Sequence, residues 1–131
     1  MKVEWTDDLK IGVGIIDDQH KKLVERISNF VDAVQSNNMS DIAETINYLI
    51  GYTIQHFGAE ELIMIRHGYK EFKEHRDEHS RFIKMVYDVH MGMIENRLTQ
   101  EQINQFRDQL LAWIVDHIKI SDKRLAEAIQ N

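Results

Sequence analysis

Four stretches of this chain repeat apolar residues every three or four positions, and each carries histidine or acid where a core helix would carry leucine. The first stripe falls at positions 20, 23, 24, 27, 31 and 34, the second at 42, 46, 49, 53, 56, 60 and 63. The third runs through 72, 75, 79, 82, 86, 89 and 93, and the fourth through 103, 106, 110, 114 and 117. This spacing predicts helices over about 18–36, 40–67, 70–95 and 100–130, with no proline to interrupt them. Ser36-Asn37-Asn38 and Asn96-Arg97 break the pattern, Gly68 supplies a C-terminal stop, and Thr99 with Gln102 forms a capping box for the last helix. Residues 1–17 show no helical period and contain Gly12 and Gly14, which reads as an extended arm followed by a turn. Long amphipathic helices joined by short connections imply an all-α fold: an antiparallel up-down-up-down four-helix bundle with an extended N-terminal arm. A length of 131 residues suits one domain, 1–131.

The polar members of the stripes are His20; His56 with Glu60; His75 with His79; and His117 with Asp122. Residues four apart on a helix share a face one turn apart, which suits chelation. An ionised carboxylate on a core stripe costs several kcal/mol unless it is paired or bound to metal. One such pair would read as an ordinary core or half-solvated pair; the recurrence reverses that reading. His117 and Asp122 are five apart, about 140° around an ideal helix, so they share a face only if the helix widens into a π-turn or Asp122 reaches in from a distorted segment. Five imidazoles and two carboxylates exceed what one zinc or one magnesium needs and fit two transition-metal ions bridged by acids. Two six-coordinate ions sharing two bridging carboxylates and one bridging oxygen would retain one vacant position, room for one small ligand. Imidazole and carboxylate without sulfur suit iron, manganese or zinc, and of these iron supports ready O₂ binding. Of the remaining candidates, His67 beside Gly68 reads as structural at a helix end, His90 as a core or interfacial histidine, and Glu61 as an exposed or outer residue.

Composition removes other classes. With no cysteine, disulfides, thiolate metal ligands, iron–sulfur clusters and cysteine nucleophiles are impossible, and a reducing compartment is compatible. A net charge of −6 disfavours nucleic acid and anionic membrane as partners. The longest apolar run, Leu110 to Val115, is too short to span a bilayer, and MKVEWTDD lacks an apolar leader segment. The expectation is a cytoplasmic monomer.

The residues that carry this pattern resemble the hemerythrin family: Trp5 with GVGIIDDQH (Gly12–His20), HFGAEE (His56–Glu61), HRDEH (His75–His79) and WIVDHIKISD (Trp113–Asp122). The resemblance runs from Trp5 to about Leu125. Myohemerythrin is itself an up-down bundle. The resemblance implies His75, His79 and His117 on one iron, His20 and His56 on the other, with Glu60, Asp122 and an oxo or hydroxo group bridging. It implies reversible O₂ binding at the two-histidine iron, for storage, transport or delivery to an oxygen-consuming enzyme, without catalysis. By the same resemblance Phe57, Trp113, Ile114 and Ile118 wall the O₂ pocket. Two positions depart from the family: Lys70 stands where proline is frequent, and Ile114 where leucine is common. The alternatives are a diiron redox enzyme or an O₂/redox sensor on the same site. A zinc hydrolase is a weaker rival, because His75-Arg-Asp-Glu-His79 matches H-x-x-E-H but leaves three histidines unexplained.

Overall fold

A computed structural model of the chain describes residues 5–130. Four long helices form the bundle: α1 (Gly14–Gln35), α2 (Met39–Arg66), α3 (Phe72–Ile94) and α4 (Gln100–Asp116). A π-helical segment, His117–Asp122, continues α4 into a short α5 (Lys123–Gln130). α1 packs on α2 and α4, and α3 closes the ring against the same two. The candidate ligands fall early in α1 and α3 but late in α2 and in the π segment that continues α4. Antiparallel neighbours therefore gather them at one end of the bundle. The other end is apolar, where Ile27, Phe30, Ile42, Ile46, Ile103 and Phe106 are almost completely buried and Phe30 meets Phe106 edge to face at 5.5 Å. Among the described residues no helix is long and apolar enough to cross a membrane.

The turns close by one device used three times. Asn37, Gly68 and Asn96 adopt positive φ (54°, 60° and 54°) just past the ends of α1, α2 and α3. The following amide then bonds back five residues, Asn38 N–H to the Ala33 carbonyl at 2.9 Å, Tyr69 to Met64 at 3.0 Å and Arg97 to Gly92 at 3.0 Å. These Schellman closures satisfy helix-end carbonyls, and asparagine and glycine tolerate the left-handed geometry that they need. At the third closure Leu98 folds onto Gly92, where a Cβ would lie 2.8 Å from the leucine side chain. α2 starts at an Asn38 cap and α4 at the expected Thr99–Gln102 capping box.

Two boundaries differ from the sequence reading. α1 begins at Gly14 rather than about Asp18, and the arm before it contains a 3₁₀ turn, Asp7–Leu9. No side chain caps α1; instead the Asp17 carboxylate, one turn in, accepts from Ile11 N–H at 2.8 Å and Gly12 N–H at 3.1 Å. That bond ties the arm to the first turn, and Leu9 and Ile11 are buried against the core. The last helix is not one continuous α-helix over 100–130, because six residues from His117 adopt π geometry.

Candidate metal centre

All seven predicted ligand residues are buried and come together. Their donor atoms form two overlapping groups: Glu60, His75, His79, His117 and Asp122; and His20, His56, Glu60 and Asp122. The shared members are the two carboxylates, and each splits its oxygens between the groups. Glu60 Oε1 faces the inner Nε2 of His75 (3.1 Å) and His79 (3.0 Å), while Oε2 faces His20 (3.3 Å) and His56 (3.2 Å). Asp122 Oδ1 faces His75 (2.9 Å) and His117 (3.0 Å), while Oδ2 faces His20 (2.8 Å). Donors bound to one ion at about 2.1 Å and at right angles lie about 3 Å apart, so these separations suit neighbouring ligands. The π segment is what brings Asp122 round, since its wider turn lets residues five apart share the face that an α-helix would deny them.

Around the donors the histidines are held from outside. Gln19 on α1 accepts from His56 Nδ1 on α2 at 2.7 Å. Glu61 on α2 accepts from His79 Nδ1 on α3 at 2.9 Å. Glu78 on α3 accepts from His117 Nδ1 at 2.9 Å and from the Ser121 hydroxyl at 2.7 Å. Each helix thus steadies a histidine on the next one round the ring. The ring is incomplete, because the buried Nδ1 atoms of His20 and His75 find no partner among the described residues. Glu78 is held at about 2, first by the His117 hydrogen bond.

These outer bonds decide what the inner atoms can do. A neutral imidazole carries one N–H, and in His79 and His117 it is spent on Glu61 and Glu78. Their inner Nε2 atoms, 3.1 Å apart, are then two lone pairs pointing into one space. Only a cation between them, proton or metal, satisfies both. Asp122 supports the same reading: its oxygens lie close to three imidazole nitrogens yet meet none in hydrogen-bond geometry. Charge balance follows suit. Burial alone would raise the Glu60 and Asp122 pKa values, but the surrounding imidazoles hold both carboxyls below the usual range. Burial opposes protonation of His20 and His75, and the two carboxylates outweigh it, raising both to about 9. His117 is raised for the same reason. The donor set fits a pair of cations sharing two anions.

The sequence model of the hemerythrin HHE cation-binding domain matches residues 11–129. The chain belongs to the hemerythrin family. Among curated relatives, a bacteriohemerythrin from Pseudomonas aeruginosa is 32% identical over 127 residues, covering 97% of this chain and 81% of the relative. Another, from Methylococcus capsulatus, is 32% identical over 124 residues and covers 91% and 90%. A crystal structure of wild-type hemerythrin aligns with TM-score 0.82 and 28% identity over 97% of both chains.

Within the chain the other candidates sort by position. Phe57, Ile114 and Ile118 are almost fully buried, and Trp113 is partly so. Phe57 stacks on His79 at 4.0 Å and Trp113 on His117 at 4.4 Å. Trp113 also lines an outer cavity of about 560 Å³ with Glu78, His117 and Ser121. Glu61 is an outer acceptor, and His67 caps the end of α2 by donating to the Ile63 carbonyl at 2.9 Å. His90 is half-buried on α3 and stands outside both donor groups. Glu78, the acid of the H-x-x-E-H pattern, turns its carboxylate to the outer edge of His117, away from the donors, which removes the main support for a zinc hydrolase. The sequence reading missed Gln19 and Glu78. Each precedes a candidate ligand histidine; Gln19 has no reading of its own in the sequence, and Glu78 enters there only as the acid of the H-x-x-E-H pattern.

Proposed function

We propose that the chain binds O₂ reversibly at a non-haem diiron centre, as a carrier or store. His75, His79 and His117 hold one iron, His20 and His56 the other, and Glu60 and Asp122 are shared. The observation that carries this reading is the division of each shared carboxylate, one oxygen toward the three-histidine group and one toward the two-histidine group. When bound, the iron pair supplies the reducing equivalents that O₂ binding draws on. The protein's own part is to hold and to exclude. Gln19, Glu61 and Glu78 fix the imidazole tautomers with Nε2 turned inward, as outer partners of ligating histidines do. Buried Phe57, Ile114 and Ile118 keep bulk water and anions away from the centre, with Trp113 stacked on the face of His117. The unequal numbers of histidines favour the two-histidine side as the place where a small ligand enters.

The test is elemental analysis with an anaerobic titration. Protein expressed with adequate iron is expected to hold two irons per chain. After reduction it is expected to take up one O₂ per iron pair, with a new absorption band that disappears under vacuum. One zinc per chain with no iron uptake on reconstitution would overturn the diiron reading. Immediate oxidation on admitting air, with no reversible form, would replace the carrier by a redox enzyme.

A further inference from the structure

Every exposed position of α2 from Asn47 to Ile65 is uncharged: Asn47, Gly51, Ile54, Gln55, Gly58, Leu62 and Ile65. The outer face of α3 is the opposite, with Lys73, Glu74, Arg76, Arg81, Lys84 and Asp88 all exposed. A solvated helix face ordinarily looks like α3. On α2, Ile54, Leu62 and Ile65 are 53%, 47% and 64% exposed, and nothing lies within 4 Å of where a Cβ would stand on Gly51 or Gly58. Gly51, Ile54, Gly58, Leu62 and Ile65 fall within about 80° of one another around the helix and span roughly 21 Å. Charge returns only at the two ends, as exposed Glu44 and exposed Arg66. Among the described residues no ion pair engages either side chain.

We propose that this face of α2 is a two-fold interface, on which a second copy of the chain lays its own α2 antiparallel. Two independent features place the centre within about half a residue of each other. Pairing Glu44 with the second copy's Arg66 places the axis at Gln55. Pairing Gly51 with the second copy's Gly58 places it between Ile54 and Gln55. A single antiparallel register thus sets glycine against glycine, lets the backbones approach and seats Ile54 at the axis. It also joins opposite charges at both ends, as a self-complementary two-fold contact requires. One helix on one helix lies at the small end of specific interfaces, so the dimer exchanges with monomer. This replaces the monomer expected from sequence.

Sedimentation of the iron-loaded full chain over a range of concentrations tests the association. Glu44→Arg and Arg66→Glu are each expected to raise the dissociation constant about tenfold, because the two-fold doubles every change. The double reversal is expected to restore the wild-type value. Since the chain has no cysteine, Gln55→Cys reports the axis directly: it should form a disulfide-linked dimer under mild oxidation, while Lys84→Cys on α3 should not. All the substituted positions are exposed, and unchanged helicity and iron content would show that the fold survives. Monomer mass at every concentration up to about 1 mM overturns the proposal. So does a double reversal no better than the single ones, or cross-linking at Lys84→Cys as fast as at Gln55→Cys.

Discussion

The two halves of the centre are built from the same side chains but anchored differently. On the three-histidine half, His79 and His117 each give their outer N–H to a carboxylate, Glu61 or Glu78, while the outer nitrogen of His75 finds no partner among the described residues. On the two-histidine half, His56 gives its outer N–H to the neutral amide of Gln19, and His20 gives its to nothing among the described residues. An anionic acceptor makes an imidazole a stronger donor and holds its ring more firmly than a neutral one. The lesson is that the number of ligands is only part of what separates the halves. The half with more histidines also has the firmer footing, so the two-histidine half is where exchange, of ion or of small ligand, costs least.

The largest expected effect removes the comparison altogether. Glu60→Ala takes away a carboxylate that both halves share, so iron content should fall below about half of wild type and thermal stability should drop, because metal binding and folding are coupled. His20→Ala serves as the contrast, with loss confined to one iron. Iron analysis and thermal melts on well-folded protein check this, and full occupancy in Glu60→Ala would end its role as a bridge.

Next comes Glu78→Ala, which leaves His117 without its outer acceptor. Losses for such partners run about 10–100-fold in metal affinity, and here the loss should fall on the three-histidine half, read as faster removal of one iron by a chelator. Gln19→Ala should sit at the low end of that range, about tenfold or less, because a neutral hydrogen bond is lost. Gln19→Glu sharpens the comparison from the other side: with a carboxylate behind His56, the two chelation phases should move closer together. If Glu78→Ala and Gln19→Ala release iron equally fast, the unequal footing is not what distinguishes the halves.

The smallest effect concerns the wall. Ile114 is 1% exposed and lies three residues before His117. Ile114→Ala opens a cavity beside the centre that admits water, and the oxygenated form should decay several-fold faster with its spectrum otherwise kept. Stopped-flow oxygenation followed by decay measures this. An unchanged decay rate would place the protective wall elsewhere.

Much of this centre was legible in the chain. The inner donors announce themselves because they occupy apolar stripes, where a histidine or acid needs a reason. The turn asparagines and Gly68 announce the connections because few residues accept positive φ. What escaped had physical causes. Gln19 and Glu78 sit one residue from a ligand, about 100° round the helix, and from sequence that direction looks like solvent. It points instead at the next helix, which only the packed bundle supplies. The start of α1 escaped because Asp17 secures it from inside the first turn, where no capping pattern would be sought. On α2 the stripe ends on buried Met64 rather than Ile63, a drift that accumulates when residues are counted by threes and fours over a long helix. For Asp122 the sequence left two routes open, and the packed chain takes the π-turn.

That turn also fixes a length. The two shared acids reach the same place by different means: Glu60 stands four residues after His56 on an ordinary turn, Asp122 five residues after His117 on a wide one. The backbone gains a residue and the side chain gives up a methylene. Asp122→Glu, which preserves charge, would therefore restore the methylene without removing the residue, in a position with 0% exposure and no slack to absorb it. At this site the mildest substitution on paper is a change of reach.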